Sequence, residues 1–327
     1  PVFILPFHFL SRMPLPLSFW VWNILNLIFL FGYIYFILHH IKPIDESYSN
    51  NFYLLVLVFI SYPVIKNLTS GNVNVFLMIC TGEFLRNAVN KKPFFSGLWL
   101  GGLLLKPPLL ILIIPIFFIK KNWDVLKGFF VSSSVILLAS LLLTGVHGMR
   151  DLVDLWVKYP SDTFSNTAPE LMINWRMVGY TMNNQYNMLF GWVIAGLGIM
   201  LTLLAVYFLI KHIAPFGSLS WVVSTLGVFS ATLAITWHSL SYMAMVIIPF
   251  LIYASIHNLL TKKIIFLWAM VTPVVMFVMD IIGLFDYYFT KIGIYEYKWT
   301  VVTFSGFIMN LIILFSTFEF RKSIASK

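Results

Sequence analysis

Eleven apolar runs follow one another through this chain, at residues 17–38, 52–65, 72–87, 94–105, 108–119, 127–145, 187–210, 219–236, 239–256, 264–283 and 299–318. No other feature limits the fold so severely. A spanning helix needs about 20 mostly apolar residues. Backbone in lipid must satisfy its own hydrogen bonds, which leaves only helices or closed barrels. A barrel would alternate its side chains over strands of roughly ten residues, and these runs are continuous. The reading is therefore all-α, a polytopic transmembrane helical bundle. A composition 60% hydrophobic and only 10% charged excludes a soluble domain. Several runs are too short to cross as straight helices, so the expected number is about 10–11 membrane segments. There is no repeat of fixed period and no insert large enough to stand alone, so residues 1–327 are expected to form a single domain.

Charge sets the expected orientation. Loops near 39–51, 86–93, 120–127, 211–218 and 257–263, with the C-terminal tail, hold 13 of the 21 Lys and Arg but only four acidic residues, Asp45, Glu46, Asp124 and Glu319. The positive-inside rule assigns these loops and the C-terminus to the cytoplasm. The net charge of +9 is then a topology signal rather than a nucleic-acid footprint. The opposite, extracytoplasmic side receives residues 1–16, 66–72, 106–107, 146–186, 236–239 and 284–298. The protein is expected in the cytoplasmic membrane, with no signal peptide visible. The sequence opens at Pro1 inside an apolar stretch, so a preceding helix and first outer loop are expected. The stretch 146–186 is the longest loop. It carries Trp156, Trp175, Arg176 and Asn183-Asn184-Gln185, and is expected to be folded.

Chemistry is concentrated where the apolar runs break, because interrupted helices persist in a membrane only when buried in protein or lining a wet cavity. Residues 66–121 are broken by Ser70-Gly71-Asn72-Val73-Asn74, by Asn90-Lys91-Lys92-Pro93 and by Lys106-Pro107-Pro108. Asn72 and Asn74 either cap a helix or turn amides toward a polar ligand. Lys106, before two prolines that stop the helix, either snorkels to the interface or faces a phosphate from a wet cavity. Lys66 is a weaker case of the same kind. His238, in Thr236-Trp237-His238-Ser239, is either a satisfied buried histidine or a ligand-facing one. Arg176 either anchors at the interface or grips a phosphate through two hydrogen bonds. Asp280 is costly inside an apolar span and so functionally suspect, whereas Glu83 is explained by pairing with Arg86 at i,i+3. Asn67-Leu68-Thr69 matches a glycosylation sequon of a kind common by chance. Lone Cys80 excludes a disulfide framework and a cysteine metal site. With no nucleotide-binding or zinc motif, a reaction here would draw on a donor already in the membrane or on an ion gradient.

Taken in order, Ser70-Gly71-Asn72-Val73-Asn74, the glycine-rich Ser96-Gly97 to Gly101 and Lys106-Pro107-Pro108 resemble the motifs of glycosyltransferase family 87. Phe3 to Trp22 resembles that family's proline-rich lead into a Trp-containing helix. Met172-Ile173-Asn174-Trp175-Arg176, Asn184-Gln185 and Trp237-His238-Ser239 resemble its outer-loop motifs. Asn72 stands where the family usually has Gln, the prolines after Lys106 are shifted, and no second histidine follows His238. The resemblance implies the C-type glycosyltransferase fold and transfer of a hexose, usually mannose, with inversion and without a metal or cofactor. The implied donor is a polyprenyl-phosphate sugar, and the acceptor a lipid or glycan at the extracytoplasmic face. Lys106, Arg176 and His238 would then serve the phosphate, and Asn72, Asn74, Asn184, Gln185 and Trp237 the sugar. In such families the general base is an acidic residue of the first outer loop, expected here upstream of Pro1; Asp280 is a less favoured substitute. The competing readings are a transporter or flippase, or a polymerase, of lipid-linked glycans.

Overall fold

The computed structural model describes residues 5–40, 51–158, 169–185, 187–211, 214–291, 293 and 297–325. Asp45, Glu46, residues 159–168 of the long loop, and the side chains of Trp156 and Gln185 lie outside the described residues.

Each of the eleven apolar runs is largely helical. In chain order the elements begin with α1 (Leu5–Leu10), α2 (Leu15–His40), α3 (Asn51–Ile60), α4 (Tyr62–Thr69), α5 (Asn74–Val89) and α6 (Pro93–Leu100). Tight 3₁₀ turns at Gly101–Leu105 and Pro107–Leu110 lead into α7 (Ile113–Ile119) and then α8 (Trp123–Lys158). After α9 (Trp175–Tyr180) come α10 (Gly191–Lys211) and α11 (Leu219–Ile235). A 3₁₀ run, Ser241–Ile247, enters α12 (Ile248–Ile256), followed by α13 (Lys262–Phe285) and α14 (Lys298–Ala325). Among the described residues five helical stretches are long and apolar enough to cross a membrane: Leu15–His40, Trp123–Asp154, Gly191–Lys211, Lys262–Phe289 and Lys298–Phe320. The bent pair α3–α4 makes a sixth. Pro93–Leu105, Pro107–Ile119, Leu219–Ile235 and Ser241–Ile256 are apolar but shorter. This is an integral membrane, all-helical bundle.

The breaks have local causes. Between α3 and α4 the axis turns by 52°. Ser61 there is extended at ψ 139°, and Pro63, two residues on, has no N–H to continue the ladder. Lys106 sits at φ −135° and ψ 79°, off the helix, because the residue before a proline is driven from the α region. The loop expected from residue 146 needs correction. Helix α8 runs on to Lys158, interrupted only at Gly145, whose φ of 64° and ψ of −176° are not helical. Beyond it, short helical turns at Pro169–Leu171, Trp175–Tyr180 and Thr181–Gln185 order the described part of the stretch.

Helix α11 is the hub, buried on every face from Trp221 to Ala234. That explains why it lacks an amphipathic stripe. Around it, the Phe84 ring lies 5.7 Å from Trp221 and 6.4 Å from Phe229. Lipid gives helices no hydrophobic reason to associate, so close contact of small residues matters more. Helices α6 and α8 meet in this way. A Cβ added at Gly97 would lie 1.9 Å from the Val125 carbonyl oxygen, and one at Gly128 2.0 Å from that of Phe94. Helix α5 spans the bundle between two polar clusters, one at Asn74 and one at Arg86.

Candidate functional site

The first cluster is built on a tight reversal between α4 and α5. Gly71 reverses the chain at φ +60°, a conformation that glycine adopts without cost, and its carbonyl accepts from Trp22 Nε1 at 2.9 Å. Asn67, wholly buried, holds the turn closed. Its carbonyl accepts from the Asn72 N–H at 3.0 Å. Its Oδ1 accepts from the Asn74 backbone N–H at 3.2 Å and from Asn74 Nδ2 at 2.9 Å. Asn67 is therefore a structural bracket and not an accessible sequon.

Pinned this way, Asn74 presents its own Oδ1 to Lys106, whose Nζ donates to it at 3.1 Å and to Asn72 Oδ1 at 3.5 Å. The same ammonium lies 4.4 Å from the centroid of the Tyr242 ring, a cation–π contact, and the Tyr242 and Asn72 side chains are near enough to interact. Asn72 does not cap α5, which begins after Val73 with no side-chain cap bond. Each of these partners of Lys106 is neutral. A partly buried ammonium solvated only by amide oxygens and a ring face is a site ready for an anion.

Tyr242 joins this cluster to a second one. The backbones of residues 172–174 and 236–240 are laced together by a Met172–Leu240 bridge and by Ile173 N–H donating to Ser239 O at 2.7 Å. Asn174 closes the seam. Its Oδ1 caps α9 through the Met177 N–H at 3.0 Å. Its Nδ2 donates to the carbonyls of Thr236 and Trp237 at 2.6 and 3.2 Å. On this frame the Arg176 guanidinium lies 4.1 Å from the ring centroid of Trp237, which is 52% exposed. Half-buried His238 stands beside them, its pKa lowered by burial and by the charge of Arg176. The Thr236 and Ser239 hydroxyls are buried without a protein partner, leaving polar capacity next to His238.

The residues singled out in the sequence thus fall into groups. Asn72, Asn74 and Lys106 converge, Arg176, Trp237 and His238 converge, and Tyr242 lies between the two. Exposed Asn184 accepts from Asn183 at 2.8 Å, with no described hydrogen bond to either group. Asp280 is taken up by an ion pair with Lys298, which removes it as a ready base. Lys66 lies 4.8 Å from the Trp299 ring centroid. The roles of Asn67, Asn174 and Tyr242 were not separable in the sequence from those of their neighbours; the one signal was a polar residue at each end of an apolar run. Among the described residues no group of three His, Cys, Asp or Glu could hold a metal.

Fold and clusters together define a polytopic membrane protein whose polar groups gather at helix breaks, where broken backbone and polar side chains mark a functional site. The sequence model of glycosyltransferase family 87 matches residues 1–232. The chain belongs to that family, and is a membrane glycosyltransferase. No curated protein and no solved structure matches it. Trp237 and His238 lie just past the matched residues.

Proposed function

We propose that the chain transfers a hexose, with mannose the first choice, from a polyprenyl-phosphate sugar to a lipid or glycan acceptor. The transfer inverts the anomeric centre and takes place at the extracytoplasmic face of the cytoplasmic membrane, with the C-terminus inside. The observation that carries this reading is Lys106, a partly buried cation whose partners are two amide oxygens and a tyrosine ring. In the reaction the acceptor oxygen attacks the anomeric carbon, the bond to the phosphate oxygen breaks, and polyprenyl phosphate departs with the electron pair. Negative charge grows on the leaving phosphate, where a preorganised cation acts most strongly on the transition state. Arg176 extends the positive region, His238 offers a neutral ring N–H to the phosphate, and Asn72, Asn74, Asn184, Gln185 and Trp237 offer amides and a ring to the sugar. The acceptor proton needs a carboxylate base, a role closed to Asp280 by Lys298. The whole chain acts as one domain in this reading.

The test is sugar transfer from radiolabelled polyprenyl-phosphate mannose in membranes, using the full-length protein with Lys106→Ala and His238→Ala beside it. Transfer abolished by the substitutions, in protein that still inserts, supports the reading. No transfer from mannose or glucose donors would overturn it in favour of a transporter or polymerase of lipid-linked glycans.

A further inference from the structure

At the far end of α5, twelve residues beyond Asn74 and so about 18 Å along the helix axis, a cavity of about 340 Å³ opens beside Arg86. That volume lies in the range of small-molecule sites. Its wall is divided. Ile37, Leu85 and Val89 form an apolar side, and Arg86, Asn90 and His257 a polar one.

The polar side is built rather than incidental. Buried Glu83 receives the Arg86 Nε–H at 2.9 Å and the Nη2–H at 2.6 Å, and the Tyr33 hydroxyl at 3.3 Å. Gly82 makes room for that tyrosine, since a Cβ there would lie 2.2 Å from its oxygen. These bonds fix the guanidinium and leave its Nη1 donors uncommitted. The Nδ1 of His257 is buried with no protein partner. His40 donates from Nδ1 to the Phe36 carbonyl at 2.9 Å, so its neutral ring has only an acceptor at Nε2 and gives the cavity no donor. Among the described residues no carboxylate lines the cavity, Glu83 being covered by Arg86. The C-terminal ends of α2, α5 and α12 approach here, and their fractional negative charge works against an anion. Arg86 is balanced by Glu83, and the net positive charge set against the helix ends comes from Lys91, which donates to the Phe216 carbonyl, and Lys92 on the adjoining turn.

We propose that this cavity binds a phosphate ester, with the phosphate on Arg86, Asn90 and His257 and the apolar portion along Ile37, Leu85 and Val89. A largely apolar cavity with a polar wall carrying one arginine matches the junction of headgroup and acyl chain in an anionic phospholipid. A soluble phosphorylated molecule would present the same phosphate. This binding is independent of the sugar-transfer reading.

The experiment measures ligand retained by the purified full-length protein in native mass spectrometry. The probes are dioleoylphosphatidylglycerol, dioleoylglycerol as the phosphate-free control, and glycerol 3-phosphate as the soluble competitor. The expected result is retention of phosphatidylglycerol and not of dioleoylglycerol. His257→Ala should weaken retention about tenfold, the worth of one hydrogen bond to a charged group. Val89→Trp, which fills the apolar side, should abolish it. Displacement by millimolar glycerol 3-phosphate would name a soluble phosphate as the natural source, and resistance to it a membrane lipid. Equal retention of both lipids overturns the proposal, as does wild-type retention in both variants when their thermal midpoints show them folded.

Discussion

Lys106 and His238 each answer to the charge of a neighbouring side chain, and single substitutions can separate their parts. Asn72→Asp would put a carboxylate 3.5 Å from the Lys106 ammonium, where Asn72 Oδ1 now lies. The internal ion pair would replace the phosphate without emptying the site. Transfer should fall about 10- to 100-fold through a raised donor KM, the worth of one charge-assisted bond, while the thermal midpoint holds; an unchanged KM would count against a phosphate at Lys106. His238 differs, because burial and Arg176 hold its pKa below the ordinary 6.5. A depressed histidine contributes stability in full above pH 6.5, and that contribution is lost as pH falls through the folded value. Arg176→Gln removes one of the two causes and should move the His238 titration upward, as read from its ring proton by NMR; a static midpoint would contradict the contact. At Gly71, Ala would be strained at φ +60° and would meet the Phe19 ring at 3.2 Å. The expected cost is about 1–2 kcal/mol, measured by thermal denaturation. At this scale the sequence named the cations but not their holders. Lys106 stood out because a charge just before two prolines inside an apolar region has few bland explanations. Asn67 did not, because its bracket depends on a turn that only the folded chain displays.

Among the elements, the apolar runs were legible because hydropathy needs no tertiary information, and their breaks because proline and glycine act locally. The extension of α8 was not. Residues 146–158 are more polar, and Gly145 reads as a stop signal, yet the helix resumes beyond it. The seam between residues 172–174 and 236–240 was invisible for a different reason: it is made of backbone bonds, which side-chain pattern does not encode. Asn174→Ala should remove the α9 cap, worth about 1 kcal/mol, and strand the Thr236 and Trp237 carbonyls at about 1–3 kcal/mol more. Calorimetry of the purified protein checks that sum. Transfer should fall as well, since His238 and Tyr242 ride on the seam. Gly97→Ala tests the α6–α8 contact. Its Cβ would fall 1.9 Å from a carbonyl oxygen, so the helices must separate at an overpacking cost of about 1–3 kcal/mol. A native thermal midpoint would mean that the helices yield freely.

For the whole molecule, all-α membrane architecture and family were readable from sequence because they rest on run length and motif order, whereas the meeting of distant breaks was not. Asn174 reaches the Thr236 carbonyl across 62 residues of chain, and α10 and α11 lie between. Lys106 and its two amides are made long before Tyr242. At about 5–20 residues per second, the ribosome takes on the order of 3–12 s to supply the missing half of the seam. Lys106 waits longer, with no ring above it and no histidine nearby, because the 136 residues from it to Tyr242 take on the order of 7–27 s at that rate. A chain stalled before residue 242 would be a membrane protein whose Lys106 and paired amides lack the ring and the histidine that join them in the finished bundle.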